Sequence, residues 1–351
     1  MRRRSGHAAA AGAALIATAA ACLAAAAPNA VYRWRLPAGV APPPVPSDNP
    51  MTDIKVELGR KLFYDADLSI NGTMSCGTCH EQHRAFSDGN SVHPGVTGAP
   101  ARRNPMPLVN IGYFASLTWG DATVHSLESQ VATPVTGEAP VEMGMAGQTA
   151  AIAERLGGDP CYRRMFAAAF PAQRGAIDMT TVSHAIAAFE RTLISMDAPY
   201  DRYRRGDHSA ISDAAKRGEA LFVGERLNCA GCHAGPMFTD AASGDAARSF
   251  HNIGPTEASR DHGLREITND PKDEGRFRTP GLRNVALSAP YLHDGSAKTL
   301  PDAIRRHAGA PAALGDAEVG DIAAFLDTLT DRGFLTDPRF ALPKPQCVVP
   351  G

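Results

Sequence analysis

The stretch Cys76-Gly77-Thr78-Cys79-His80 returns as Cys229-Ala230-Gly231-Cys232-His233. Cys-x-x-Cys-His is the pattern of covalent c-type haem attachment. Two thiols add across the vinyl groups of one rigid ring and the adjacent imidazole takes its iron, so the residues must be close together. Seven Cys and twelve His in 351 residues would produce about 0.005 such motifs by chance. A zinc site would need further Cys or His at set spacings. A thioredoxin-like pair would follow a strand and has no use for the trailing His. The chain is therefore expected to carry two covalently bound haems, one on Cys76, Cys79 and His80, the other on Cys229, Cys232 and His233.

The surroundings of the two motifs also repeat. Leu58-Gly59-Arg60-Lys61-Leu62-Phe63 precedes the first and Arg217-Gly218-Glu219-Ala220-Leu221-Phe222 the second. Leu108-Val109-Asn110-Ile111 and Leu282-Arg283-Asn284-Val285 follow them. Apolar residues at helical spacing (Val182, Ile186, Phe189, Leu193, after Thr180 as a cap) predict one helix. Val319, Ile322, Leu326 and Leu329 predict another near the end. Ala214–Val223 reads as a helix capped by Ser212 or Asp213. No run alternates as a strand would. The expected fold is mainly α, two cytochrome-c-like haem domains with long loops, 84–107 and 234–281 wrapping the haems. The expected boundaries are 31–52 for a Pro-rich lead-in, 53–207 for the N-terminal haem domain, 208–345 for the C-terminal one and 346–351 for a tail.

Residues 1–30 read as a secretory signal: Arg2, Arg3 and Arg4, then an Ala-rich apolar stretch, then small residues at Ala25–Ala30. Low Leu/Ile content argues against a membrane anchor. Lipoprotein cleavage at Cys22 is the lesser reading, because the usual Leu before the small residues is absent. Export to the periplasm agrees with c-type haem attachment outside the bacterial cytoplasm. The whole chain has a formal charge of −2, and loss of the three Arg makes it more acidic, with no basic patch for nucleic acid. No transmembrane helix is expected after cleavage. Cys161 and Cys347 are left over; in an oxidising compartment they either pair or stay as two buried thiols.

A protein with two haems is a wire or an enzyme. A peroxide-using enzyme needs one open iron with an acid/base beside it, since peroxide loses a proton on binding and regains one on the leaving oxygen. Here the sequence resembles the bacterial dihaem cytochrome c peroxidase and MauG superfamily. The matching segments are Gly59–Asp65, Ser75–His80, Ala85–Gly89, Arg103-Asn104, Ser126–Gln130, Val141–Gly144 and Arg283–Ser296. The resemblance implies Glu142 as the acid/base over the first haem and Gln130 as its pocket partner. It implies Trp119 as the tryptophan between the haems. It also implies a calcium ion on the Asn104 side chain and the carbonyls of Ser288 and Pro290. Without the resemblance, Glu142 would read as a solvated loop carboxylate and Trp119 as core.

In the superfamily a Met or a Tyr about fourteen residues after the His of His-Asp-Gly is the sixth ligand of the second haem. Counted from His293, that position is His307, which departs from both. An imidazole would still complete the iron, at a lower potential than Met. His251, Met237 or a surface role for His307 are the alternatives. His93 lies in the loop where peroxidases carry a removable ligand, at a shifted offset, so the first haem is expected to be open. Val45–Met51, Leu117–Trp119 and Pro140–Gly147 resemble the MbnH-type branch, associated with methanobactin copper uptake. That branch implies hydrogen peroxide as oxidant, a high-valent state shared by both irons (bis-Fe(IV)), and oxidation of tryptophan to kynurenine on a partner protein, here a copper-binding periplasmic protein. Reduction of peroxide by electrons from a small redox protein is the alternative, and a plain electron carrier a further one.

Overall fold

Thr52 stops an extended segment and starts the helix Asp53–Phe63: its hydroxyl accepts from the backbone N–H of Lys55 at 3.3 Å, satisfying one of the orphan donors of the first turn. Asp53 in the first turn and Arg60 and Lys61 in the last complement the helix dipole. Ile54, Leu58 and Leu62 form its apolar face, each buried side chain contributing about 1.5–3 kcal/mol. The face meets a second helix, Met179–Glu190. The cap there is Asp178 rather than Thr180: its carboxylate accepts from Thr181 N at 2.9 Å and the Thr181 hydroxyl accepts in turn from Asp178 N at 3.1 Å. At the crossing, a Cβ added to Gly59 would lie 1.8 Å from the Ala185 carbonyl oxygen, so only glycine permits the approach.

A computed structural model describes residues 31–254, 261–307 and 314–347; the signal read at 1–30, with Cys22, lies outside these. The second half repeats the first. Ser212 caps the helix Asp213–Val223 at Ala215 N, 3.2 Å. This helix packs on Asp316–Asp327, where a Cβ on Gly218 would fall 1.9 Å from the Asp321 carbonyl oxygen. Val319, Ile322 and Leu326 are buried in that helix as expected; Leu329 is buried just beyond its end. Both asparagines of the repeated Leu-x-Asn adopt left-handed φ near 60° at the start of a short 3-10 turn. Asn110 N donates to the Leu193 carbonyl at 2.7 Å and Asn284 N to that of Leu329 at 3.0 Å. The sole sheet among the described residues is the antiparallel pair Phe250–His251 and Phe277–Arg278. The architecture is mainly helical, as expected.

Phe63, Phe86, Phe166 and Phe189 centre one apolar cluster, and Phe222, Phe238 and Phe325 another. The chain from Arg332 onward leaves the second cluster and packs on the first. Phe334 meets Phe86 edge-on at 5.8 Å. Gln82 donates to the Phe334 and Asp337 carbonyls, and Cys347 closes a disulfide with Cys161. In space this stretch lies with the first half rather than the second. The halves are tied by Arg103, which holds Asp261 at 2.8 and 2.7 Å, and by Ser195, whose hydroxyl accepts from Asn284 Nδ2 at 2.9 Å while its N–H donates to Asn110 Oδ1 at 2.9 Å.

Candidate dihaem site

Ser75 starts a four-residue helix, Cys76–Cys79, whose i, i+3 spacing puts both cysteines on one face, and which ends at His80. Cys229–Gly231 forms the equivalent 3-10 turn before Cys232 and His233. All four cysteines are partly buried and unpaired, whereas Cys161 and Cys347 are joined to each other. The His80 Nδ1 shares a hydrogen with the Phe86 carbonyl at 2.8 Å, and the His233 Nδ1 with that of Phe238 at 3.1 Å. A carbonyl only accepts, so Nδ1 carries the proton and Nε2 keeps its lone pair for a metal. Burial lowers both imidazoles and keeps them neutral; His233 is pushed down to about 4, His307 adding to the effect. The two carbonyls are aimed by left-handed φ, 61° at Phe86 and 54° at Phe238. Reading the motifs alone missed these two residues; the repeat Phe-Ser-Asp at 86–88 and Phe-Thr-Asp at 238–240 carries the signal.

His307 stands one residue beyond the cap of the helix Leu300–Arg305 rather than inside it. Its Nδ1 is tied to the Ala303 carbonyl at 2.8 Å, so here too Nε2 is free. Its ring faces that of His233 with centroids 6.3 Å apart. A ring centroid lies about 1.2 Å from its nitrogen and a metal–imidazole bond is about 2.0–2.1 Å, so two imidazoles across one metal would stand about 6.4–6.6 Å apart, close to the spacing seen. The other two candidates are engaged elsewhere. His251 Nε2 bonds Asp240 Oδ2 at 2.6 Å, and Met237 is buried in the first apolar cluster. Cys232, Asp240 and His251 bring donor atoms within 4.8 Å of one another, but Cys232 belongs to the attachment motif.

The first site is built differently. Among the described residues no imidazole faces that of His80 as His307 faces that of His233. His93 turns its Nδ1 to the Pro94 carbonyl at 2.8 Å, with Nε2 4.0 Å from the buried Asp88. Glu142 is held in a loop whose carbonyl accepts from Val96 N at 2.8 Å, next to the buried Met143. Burial raises the Glu142 carboxyl and the His93 imidazole opposes the rise. Burial raises the Cys79 thiol, and the charges of Glu142 and then Asp88 add to the rise. Gln130 ends the helix Leu127–Gln130, capped by Ser126. Two residues earlier Glu128 is clamped by Arg191 at 2.6 and 2.8 Å and by Asn49 at 2.7 Å.

Trp119 lies between the halves. Its indole Nε1–H donates to the Asn104 carbonyl at 2.8 Å, and its own carbonyl accepts from Arg278 N at 2.9 Å. Asn104 is buried, with Nδ2 on the carbonyls of Asn90 and Ser91 at 3.0 and 3.1 Å, leaving Oδ1 as the open end. Ser288 is buried with its hydroxyl on the Val285 carbonyl at 3.1 Å; Pro290 is buried too. Arg278 is 2% exposed with Nε unpartnered, and the buried His293 Nε2 is unpartnered as well. Orphaned donors of this kind are costly. The carboxylates of a bound haem would satisfy them, so thiols, lone pairs and buried donors all fit the group.

A family model described as di-haem cytochrome c peroxidase matches residues 53–209. The methylamine utilization protein MauG of Methylorubrum extorquens is 37% identical over 311 residues, covering 85% of this chain and 83% of its own. The cytochrome c551 peroxidase of Pseudomonas aeruginosa is 32% identical over 307 residues, covering 84% and 82%. A crystal structure of a MauG-like protein associated with microbial copper homeostasis superposes with a TM-score of 0.82 at 40% identity, over 89% of this chain and 99% of that one. The chain belongs to the di-haem cytochrome c peroxidase family that includes MauG, and is a dihaem, peroxidase-like oxidoreductase.

Proposed function

We propose that the chain uses hydrogen peroxide to oxidise a partner protein, converting tryptophan to kynurenine. The observation that carries this reading is the asymmetry of the two sites. His233 is faced by a second imidazole, whereas among the described residues no imidazole faces His80, and the charge of Glu142 acts on Cys79 of that first motif. Haem, when bound, supplies an iron that reacts with peroxide at the first site and a second redox centre at the other.

The rest is the work of side chains. Glu142 takes the proton that peroxide gives up and returns it to the departing oxygen. The rise from burial brings its affinity for protons closer to neutrality, which suits a group that must do both. Gln130, on a helix braced by Glu128, is assigned as its amide partner in the peroxide pocket. Trp119, hydrogen-bonded to one half and receiving a bond from the other, passes charge between the sites. Asn104 Oδ1 with the carbonyls of Ser288 and Pro290 would hold calcium, a hard ion that takes neutral oxygens and waters. Tryptophan loses four electrons to two peroxides, gaining two oxygens, and water then removes the formyl carbon as formate. MauG and the copper-associated MauG-like structure are the relatives that support a protein substrate. The partner is then a copper-binding protein of the periplasm, reached through the signal at 1–30. No described helix is long and apolar enough to cross a membrane.

The test is stopped-flow absorbance of the fully ferric protein with stoichiometric peroxide and no electron donor. A long-lived change at both haems is expected. If nothing happens until one haem is reduced, the cytochrome-fed peroxidase reading, which the Pseudomonas aeruginosa relative supports, replaces this one.

A further inference from the structure

The chain has two tryptophans, and the site uses one. The other, Trp34, ends a line of aromatic side chains that begins at the first attachment turn. Tyr64 lies flat against that turn: a Cβ on Gly77 would come 2.5 Å from Tyr64 Cδ1 and 2.7 Å from Cε1. The Tyr64 hydroxyl donates to the Phe340 carbonyl at 2.7 Å. Phe340 and Arg339 line a shallow pocket together with Tyr32 and Trp34. The Tyr32 and Trp34 rings meet edge to face at 5.0 Å. Tyr32, Trp34 and Tyr64 are all partly buried against the first apolar cluster and keep part of their surface open to solvent.

We propose that Tyr64, Tyr32 and Trp34 form an outward path for oxidising equivalents from the first site, with Trp34 as the residue that is modified when no partner is present. Tyrosine and tryptophan are the side chains here that give up an electron most readily, and each contacts the next directly or through Phe340. Tyr64 is suited to pass charge rather than keep it. Its only hydrogen-bond partner is a peptide carbonyl, which cannot take the phenolic proton, so an oxidised Tyr64 draws an electron from farther out. Charge therefore comes to rest at Trp34, where water can add. The stoichiometry is simple: the indole gives up two electrons, adds one water and releases two protons, a net gain of one oxygen, while one peroxide takes up those electrons and protons and leaves as two waters. This rests on the proposed peroxide chemistry at His80 and extends it to a site that spares the interior when a substrate protein is missing.

The experiment treats the haem-loaded protein with excess hydrogen peroxide in the absence of any donor and maps oxidised residues by peptide mass spectrometry. Haem content is counted on the same sample by intact mass. Trp34 is expected to be the most heavily oxygenated aromatic residue. Tyr64→Phe leaves Trp34 just as exposed to solution but should cut its oxidation several-fold. Trp34→Phe should move the oxygen inward to Tyr32 and Tyr64 and hasten haem bleaching. Equal oxidation of Trp34 in the parent and in Tyr64→Phe would mean direct attack from solution and overturn the path. So would an unmodified Trp34 in a chain that carries both haems and reacts with peroxide. Two haems that do not react with peroxide would instead sink the function proposed above, and this inference with it.

Discussion

Replacing His307 tests the second haem site most directly. The ring contributes one hydrogen bond to the fold, from Nδ1 to the Ala303 carbonyl at 2.8 Å, worth about 1 kcal/mol. Domains of this size are stable by about 5–15 kcal/mol, so His307→Ala should fold. The ligation effect is far larger. The 6.3 Å spacing of the His233 and His307 rings leaves room for one metal between their Nε2 atoms and nothing more. Removal of one ring opens one face of that metal. In the ferric protein, electron paramagnetic resonance and visible absorbance should show one haem changing from low to high spin, and added imidazole should reverse the change. His307→Met should raise the potential of the same haem by roughly 0.1–0.2 V, a fraction of the about 0.8 V range that axial ligands command. Potentiometric titration reads that shift. A His307→Ala protein with two haems and an unaltered spectrum would refute the reasoning, because the spacing would then be a packing coincidence.

Four further outcomes are expected. Glu142→Gln keeps the shape but loses the proton carrier, so the rate of reaction with peroxide should fall about 10²–10⁴-fold in stopped flow, with the haem spectra of the resting protein unchanged. Gly59→Ala would press a methyl into the Ala185 carbonyl and should cost about 1–3 kcal/mol in thermal or denaturant unfolding. Gly320→Ala, in an exposed helix interior with nothing within 4 Å, should gain about 0.5–1 kcal/mol. Burial raises the Glu190 carboxyl to about 8, with Arg191 opposing. The folded chain therefore keeps a proton that the unfolded chain releases above about 4.5, and stability should fall as pH rises from there toward 8. Glu190→Gln should flatten that fall and unfold at higher denaturant at pH 8, while matching the parent at pH 4.

Much of this was legible in the residues. Two Cys-x-x-Cys-His motifs are chemically so specific that they announce two haems without any fold. The repeat of Leu-Gly-Arg-Lys-Leu-Phe as Arg-Gly-Glu-Ala-Leu-Phe was legible too, and in the structure its Gly59 and Gly218 both meet a carbonyl at a helix crossing, those of Ala185 and Asp321. Helix ends were less legible. Asp178, not Thr180, caps Met179–Glu190, because a cap is settled by which side chain reaches an N–H and several neighbours compete.

Local chemistry, then, is determined by sequence alone: covalent attachment and apolar periodicity depend on neighbours along the chain, whereas the partners of Gly59 and Gly218 lie more than a hundred positions away. The choice of His307 over His251 and Met237 could not be read that way. All three can ligate a metal. The structure ties His251 to Asp240, buries Met237 in the other cluster and turns His307 toward His233. Likewise nothing in the lead-in marks Trp34 as different from any surface indole. It gains its place because residues 332–347 fold back over the first half and carry Phe340 between Tyr64 and Trp34. Contacts between residues hundreds of positions apart are decided by how the two helical clusters and the returning tail pack, and that packing is a property of the whole chain.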